Sequence, residues 1–139
     1  MDDTNLVRIT SQPLSPEEVV NLARTDSSGC IVTYVGLIRD NSRGRSVLSV
    51  EYTDYDGRAQ DRLRDIAEEV RQKFPVNKVT IYHRVGKLSV GDINLVVAIA
   101  AAHRDEGFAA SQAVIDLFKG KLPTAKKETY LDGSVWIGD

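Results

Sequence analysis

INLVVAIAAAHRDEGFAASQAVIDLFKGKLPTAKK, residues 93–127, decides how the rest of this chain is read. Ile93, Leu95, Val97 and Ile99 alternate with positions that are themselves mostly apolar, Val96, Ala98 and Ala100. A strand with apolar side chains on both faces is covered on both, so this stretch is expected to be a central strand. At its carboxyl end the composition changes to Ala102-His103-Arg104-Asp105, and Phe108, Ala110, Val114, Leu117 and Phe118 then recur at helical spacing until Gly120. Past the helix runs a basic segment, Lys119 to Glu128, with Pro123 to stiffen it and Lys126-Lys127 near its end. A His-Arg pair before a helix and a lysine cluster after it are the first chemistry to explain.

Upstream of this stretch, Val79 to Val85 alternates as a strand with Val79 and Ile81 inward, and residues 86–92 connect it to the central strand. His83 lies within it, and a lone strand histidine is more often a hydrogen-bonded structural residue than a catalyst. Asp56 to Phe74 is the clearest helix: Ala59, Leu63, Ile66, Ala67, Val70 and Phe74 fall on one stripe, charges fill the other side, and Pro75 ends it. Val47 to Tyr55 reads as a strand with Leu48, Val50 and Tyr52 toward the core and Val47, Ser49 and Glu51 away from it. Arg39 to Ser46 is a polar loop carrying three arginines, and Cys30 to Ile38 is a β-branched strand interrupted near Gly36. Ser15-Pro16-Glu17-Glu18 starts a short helix, with Ser15 as its cap and Val19, Val20, Leu22 and Ala23 on its apolar side. A short terminal strand, Val135 to Ile137, completes an α+β order of helix, strand, strand, helix, strand, strand, helix, strand.

A chain of 139 residues, 42% hydrophobic and free of internal repeats, suits one domain spanning residues 1–139. A formal charge of −2 and a pI near 5.7 give no global attraction to nucleic acid or to an anionic membrane, so anion binding must be local. No apolar run approaches a membrane span, and the start Met-Asp-Asp-Thr-Asn lacks a basic leader, so the chain is expected in the cytoplasm. Cys30 is the only cysteine, which excludes an intrachain disulfide, and its apolar neighbours suit a small buried thiol. His83, His103 and scattered carboxylates have no recognised metal spacing, and the phosphate-loop, dinucleotide and nucleophile-elbow patterns are absent, so neither metal nor cofactor is expected.

Arg39, His103, Arg104, Lys119, Lys126 and Lys127 are cationic candidates placed near strand or helix ends. Arginine grips phosphate bidentately, while lysine serves as a point charge whose amine can be tuned by its surroundings, so the set suits a small phosphorylated substrate. The competing reading is a solvated basic surface, which is also the ordinary reading of Arg43 and Arg45. Composition and spacing alone stop at an α+β domain with a local anion site.

Taken together, the motifs resemble the catalytic (large) subunit family of molybdopterin synthase. They run from Gly29 to Trp136 through Tyr34-Val-Gly-Leu-Ile-Arg39, Val50-Glu-Tyr52, His83-Arg-Val-Gly86-Lys-Leu-Ser-Val-Gly91, Ala102-His-Arg104, Ile115-Asp116, Pro123, Lys126-Lys-Glu128 and Asp132-Gly133-Ser-Val-Trp136. The resemblance implies an α/β hammerhead fold with a mainly antiparallel sheet and three helices. It also implies a homodimer within a heterotetramer, flanked by a small ubiquitin-like sulfur-carrier subunit whose C-terminal Gly-Gly bears a thiocarboxylate. The implied reaction transfers sulfur from that carrier to cyclic pyranopterin monophosphate to make molybdopterin.

By the same resemblance, Lys119 and Lys126 fall on the family's functional lysines, and Arg39, His103 and Arg104 on positions that bind the pterin and its phosphate; Lys127 is a weaker candidate for the same anion. The family's bulky Ile-Trp pair between the proline and the lysines is here Thr124-Ala125, and the Ser-Pro before the His-Arg pair is Ala101-Ala102. The Thr124-Ala125 change motivates an alternative, a non-catalytic binding module for the carrier. A third reading, nucleic-acid binding through Arg39, Arg43 and Arg45, lacks both a basic balance and a stacking motif.

Overall fold

The computed structural model describes residues 5–138. In chain order the elements are β1 (Asn5–Thr10), α1 (Pro16–Ala23), β2 (Cys30–Leu37), β3 (Asn41–Ser42), β4 (Arg45–Thr53), α2 (Ala59–Lys73), β5 (Lys78–Arg84), β6 (Gly86–Ser89), β7 (Ile93–Ala101), α3 (Arg104–Gly120), β8 (Ala125–Tyr130) and β9 (Val135–Ile137). β7 lies inside a four-stranded sheet ordered β1-β5-β7-β2, antiparallel to β5 and β2, while β1 runs parallel to β5. Along β7, Leu95, Val97, Ile99 and Ala101 join the core under α2 and α3, and Val96 and Ala98 join the core under α1. Val96 to Ala101 are wholly buried, so cover on both faces accounts for the unbroken apolar run.

The helices form for local reasons and dock by their apolar stripes. Ser15 caps α1 by accepting from the Glu18 N–H at 3.2 Å, Pro16 occupies the first turn, and Val19 and Ala23 bury against the sheet. α2 presents Leu63, Ile66 and Val70 to the core, each worth about 1.5–3 kcal/mol by leaving water. α3 buries Gly107, Ala110, Ser111, Val114 and Phe118. Phe108, which the sequence pattern put on this stripe, is 62% exposed, one residue off the buried face. A second sheet, ordered β3-β4-β8-β9 with β6 also paired to β4, closes over Ile38, Val47, Val50, Tyr52, Leu88 and Tyr130.

Three helices and mainly antiparallel sheets agree with the expected α+β plan, and the departures from it are local. β1 was absent from the expected order; its short apolar run is broken by Arg8 and gains order by parallel pairing to β5. The basic segment before Glu128 contributes a strand, β8, that its composition does not announce. In β4 the expected faces are wrong at one end: Leu48 is 50% exposed, whereas Val47 and Ser49 are buried. The pairing of β4 with β8 shifts between Val47 and Ser49, and an extra residue in a strand reverses the alternation on one side of it. Val50 and Tyr52 point inward as expected. Cys30 is half-buried rather than buried, and its thiol lies 3.7 Å from the Ala101 carbonyl oxygen.

Candidate functional site

The two sheets and the end of α3 together line a cavity of about 250 Å³. Arg39 reaches it from the turn after β2, Lys119 from the last turn of α3, and Lys126 from β8. Three cations from distant segments thus share one concavity, and the acidic residue lining it is Glu128. Among the described residues Arg39 and Lys119 carry no ion pair, whereas Lys126 has its ammonium 3.3 Å from Glu128. Three positive charges against one negative leave the cavity cationic, which suits a phosphorylated ligand.

Glu128 is only 4% exposed, and its surroundings explain how a carboxylate survives there. Burial alone would raise its pKa; the Tyr130 hydroxyl at 2.6 Å, the Ser42 hydroxyl at 2.9 Å and the Lys126 ammonium outweigh burial and hold it below the usual range. A charged Glu128 in turn fixes where Lys126 points. Strand alternation makes this possible, because Lys126 and Glu128 sit two residues apart on β8 and share a face. On the neighbouring strand β4, where Tyr52 pairs with Lys126, burial pushes the Tyr52 phenol up to about 12, and the Asn94 amide donates to its oxygen at 3.2 Å. Tyr52 therefore stays protonated and offers a donor rather than a base.

Beneath the cavity, His83 is wholly buried, with Nδ1 2.8 Å from the Asn94 carbonyl oxygen and Nε2 3.0 Å from the Thr124 hydroxyl. Burial pushes its pKa down to about 4 against the opposing pull of the Asn94 carbonyl, so the imidazole is neutral at pH 7. The structural reading of this residue agrees with its two hydrogen bonds.

The other candidates lie elsewhere. Lys127 is exposed on the opposite face of β8 from Lys126 and does not line the cavity. His103 and Arg104 are exposed at the amino end of α3, and helical rise puts them roughly 22 Å from Lys119 at the other end. Within one chain they do not meet the lysines. Arg43 and Arg45 are not loose surface charges: the Arg43 guanidinium stacks 3.4 Å from the Trp136 ring, and Arg45 reaches the Ser134 hydroxyl at 2.6 Å. These contacts latch the β3–β4 turn onto the β8–β9 hairpin. Among the described residues no group of three or more His, Cys, Asp or Glu side chains could hold a metal.

Glu128, Tyr52, Asn94 and Ser42 are among the cavity residues that the sequence reading does not put in the site. The signal for Glu128 is its spacing from Lys126, which puts both on one face once residues 125–130 form a strand.

The family model described as MoaE protein matches residues 9–121. The molybdopterin synthase catalytic subunit of Nostoc sp. is 42% identical over 131 residues, covering 93% of this chain and 79% of that protein. The subunit of the same name from Homo sapiens is 35% identical over 135 residues, covering 97% and 72%. Among solved structures, molybdopterin synthase from Staphylococcus aureus superposes with a TM-score of 0.87 at 29% identity, covering 100% of this chain and 99% of that one.

Proposed function

The chain belongs to the MoaE family, and from that premise we propose that it is the catalytic subunit of a molybdopterin synthase, a sulfurtransferase converting cyclic pyranopterin monophosphate to molybdopterin. The observation that carries the proposal is the convergence of Arg39, Lys119 and Lys126 on one cationic cavity. Arg39 and Lys126 hold the substrate phosphate, the first by its fork and the second as a point charge oriented by Glu128. Lys119, exposed at the cavity rim, meets the C-terminal thiocarboxylate of a small ubiquitin-like carrier and polarises its carbonyl. Once the sulfur has bonded to the pterin, water adds at the carbonyl carbon, the C–S bond breaks with its electrons on sulfur, and the carrier leaves as a carboxylate. The chain's own thiol supports a visiting sulfur donor, because Cys30 lies at the far end of β2 and does not line the cavity. None of these roles calls for a cofactor or a metal. We place the protein in the cytoplasm, where its lone free thiol stays reduced.

A homodimer within a heterotetramer accounts for His103 and Arg104. β2 is an edge strand of its sheet, and its Val35 and Leu37 are exposed. An open apolar edge invites pairing with a second copy. Antiparallel pairing of two β2 edges would lay the Cys30 end of one copy, beside which α3 begins, against the Arg39 end of the other. His103 and Arg104 of each copy would then face the cavity of its neighbour. Neither Thr124 nor Ala125 lines the main cavity, so the change that motivated the binding-module reading leaves the wall of that cavity in place.

The test is turnover with purified partners. Lys119→Ala is expected to abolish molybdopterin formation from the pyranopterin and the thiocarboxylated carrier while circular dichroism and Tm stay near those of the parent chain. Full turnover by the variant would remove Lys119 from the mechanism, and complex formation without product by the parent chain would favour the binding module.

A further inference from the structure

Between Lys119 and Lys126 runs a short connection, Gly120 to Ala125, so its position determines how the two amines face each other. It is tied down from both sides. On the inner side, Thr124 is 3% exposed and its hydroxyl lies 3.0 Å from Nε2 of His83 on β5. The other ring nitrogen of His83 lies 2.8 Å from the main-chain oxygen of Asn94 on β7. A carbonyl oxygen only accepts, so Nδ1 carries the proton, Nε2 carries the lone pair, and Thr124 donates to it. The ring is further held edge-on between Tyr52 and Phe118, with centroids 4.8 and 4.9 Å away. On the outer side, Nε of Arg62 on α2 donates to the Pro123 carbonyl at 2.9 Å, while its two terminal nitrogens grip Asp56, each at 2.9 Å.

An apolar side chain would fill the site of His83 without the cost of burying two polar nitrogens. A histidine held by two directed bonds adds orientation to that core position. We propose that His83 and Arg62 are positioning residues for sulfur transfer, an imidazole strut and a guanidinium clamp that pin Thr124 and Pro123 and so set the spacing of Lys119 and Lys126. This assignment rests on the reading of the two lysines given above. Neither residue touches substrate; each acts through the connection it holds.

Thr124→Val keeps the shape of the side chain and deletes the donor to His83, whereas Thr124→Ser keeps the donor. With cyclic pyranopterin monophosphate and thiocarboxylated carrier, Thr124→Val is expected to lower kcat roughly tenfold with KM changed less than about threefold, because small misplacements of reacting groups weigh on the chemical step. Thr124→Ser is expected to recover most of kcat. Arg62→Gln, altering a partly exposed side chain outside the core, should give the same split. Val19→Ala, which loosens the core beneath α1 on the far face of the sheet, serves as the purely structural control and should leave kcat unchanged below its Tm. A parental kcat in both Thr124→Val and Arg62→Gln, or an equal loss in Val19→Ala, would overturn the assignment. Amide hydrogen exchange of residues 120–126 decides the bracing independently, even should the parent chain prove inactive. The strut predicts exchange about tenfold faster in Thr124→Val with α1 unaffected, since a lost buried hydrogen bond costs about 1–2 kcal/mol locally; unchanged exchange there refutes it.

Discussion

Acidification between about pH 7.5 and pH 5.0 is a perturbation aimed at one residue, the buried His83. Burial holds its imidazole at about 4 in the folded chain, against an ordinary value of 6.5. The native state therefore binds fewer protons than the unfolded state throughout the interval between those values. Stability from this residue is complete above pH 6.5 and is lost as the pH falls toward 4. Integrating the proton difference from about pH 7.5 to about pH 5.0 gives a loss of about 2 kcal/mol, a large fraction of an ordinary domain's margin. The depressed carboxylates act in the same direction but later: Asp56, held at about 2 chiefly by its hydrogen bonds from Arg62, and Glu128 lose their share only as the pH approaches and passes below the ordinary carboxylate range. Urea unfolding at fixed protein concentration across that interval measures the effect. His83→Gln is the reference, since a glutamine can donate to the Asn94 carbonyl, accept from Thr124 and take up no proton. The parent chain should lose about 2 kcal/mol more than His83→Gln over this interval. Parallel pH profiles for the two proteins would mean that His83 titrates normally, and the account of the buried strut would fail with it.

Two further outcomes follow from the cavity. Glu128→Gln removes the charge facing Lys126 while keeping the side-chain shape; losing charge-assisted hydrogen bonds from Ser42, Tyr130 and Lys126 should cost about 2 kcal/mol and lower Tm by roughly 7 °C. Product formation should fall at least tenfold as Lys126 loses its direction, and a variant with the parental Tm and turnover would show that the pair is incidental. Lys119→Ala and Arg104→Ala, each inactive alone, should regain about a quarter of parental activity when co-refolded in equal amounts, because half of the mixed dimers' sites, in half of the dimers, are intact on both sides. No recovery despite proven subunit mixing would place Arg104 outside the partner's cavity.

The reach of the sequence differs between elements for physical reasons. β7 and α2 were legible because burial of one element imprints its period on that element's own residues, as with Leu95 to Ala101 and the Leu63, Ile66, Val70 stripe. The bulge in β4 left no such imprint: Val47 and Leu48 are both apolar, and only pairing with β8 decides which turns inward. β1 is short, interrupted by Arg8, and ordered by a neighbour more than seventy residues away in the chain. In the site, the cationic residues were recognisable by type and by resemblance. Glu128 stands among those motifs, yet its role depends on Ser42 reaching it from β3 and on Tyr130 sharing its face of β8. Likewise Thr124 stood out as a departure from the family, while its partner His83, forty-one residues earlier, could be found only in three dimensions.

α3 explains why the cationic candidates of the sequence do not all share one cavity within a single chain. The helix carries a cationic group at each end, Arg104 at its start and Lys119 in its last turn, and a seventeen-residue helix keeps them about 22 Å apart. Its buried face, Ala110, Ser111, Val114 and Phe118, fixes it rigidly on the first sheet, so bending cannot close that distance. An isologous contact closes it without bending, because in a two-fold pair the start of one α3 is exchanged for the start of the other and two identical sites form at once. On the proposed assembly the same helix therefore serves two cavities: its carboxyl end supplies the amine of its own, and its amino end supplies the guanidinium of its neighbour's. The separation that looks like a defect in the monomer is then what prevents a lone subunit from acting before it has paired.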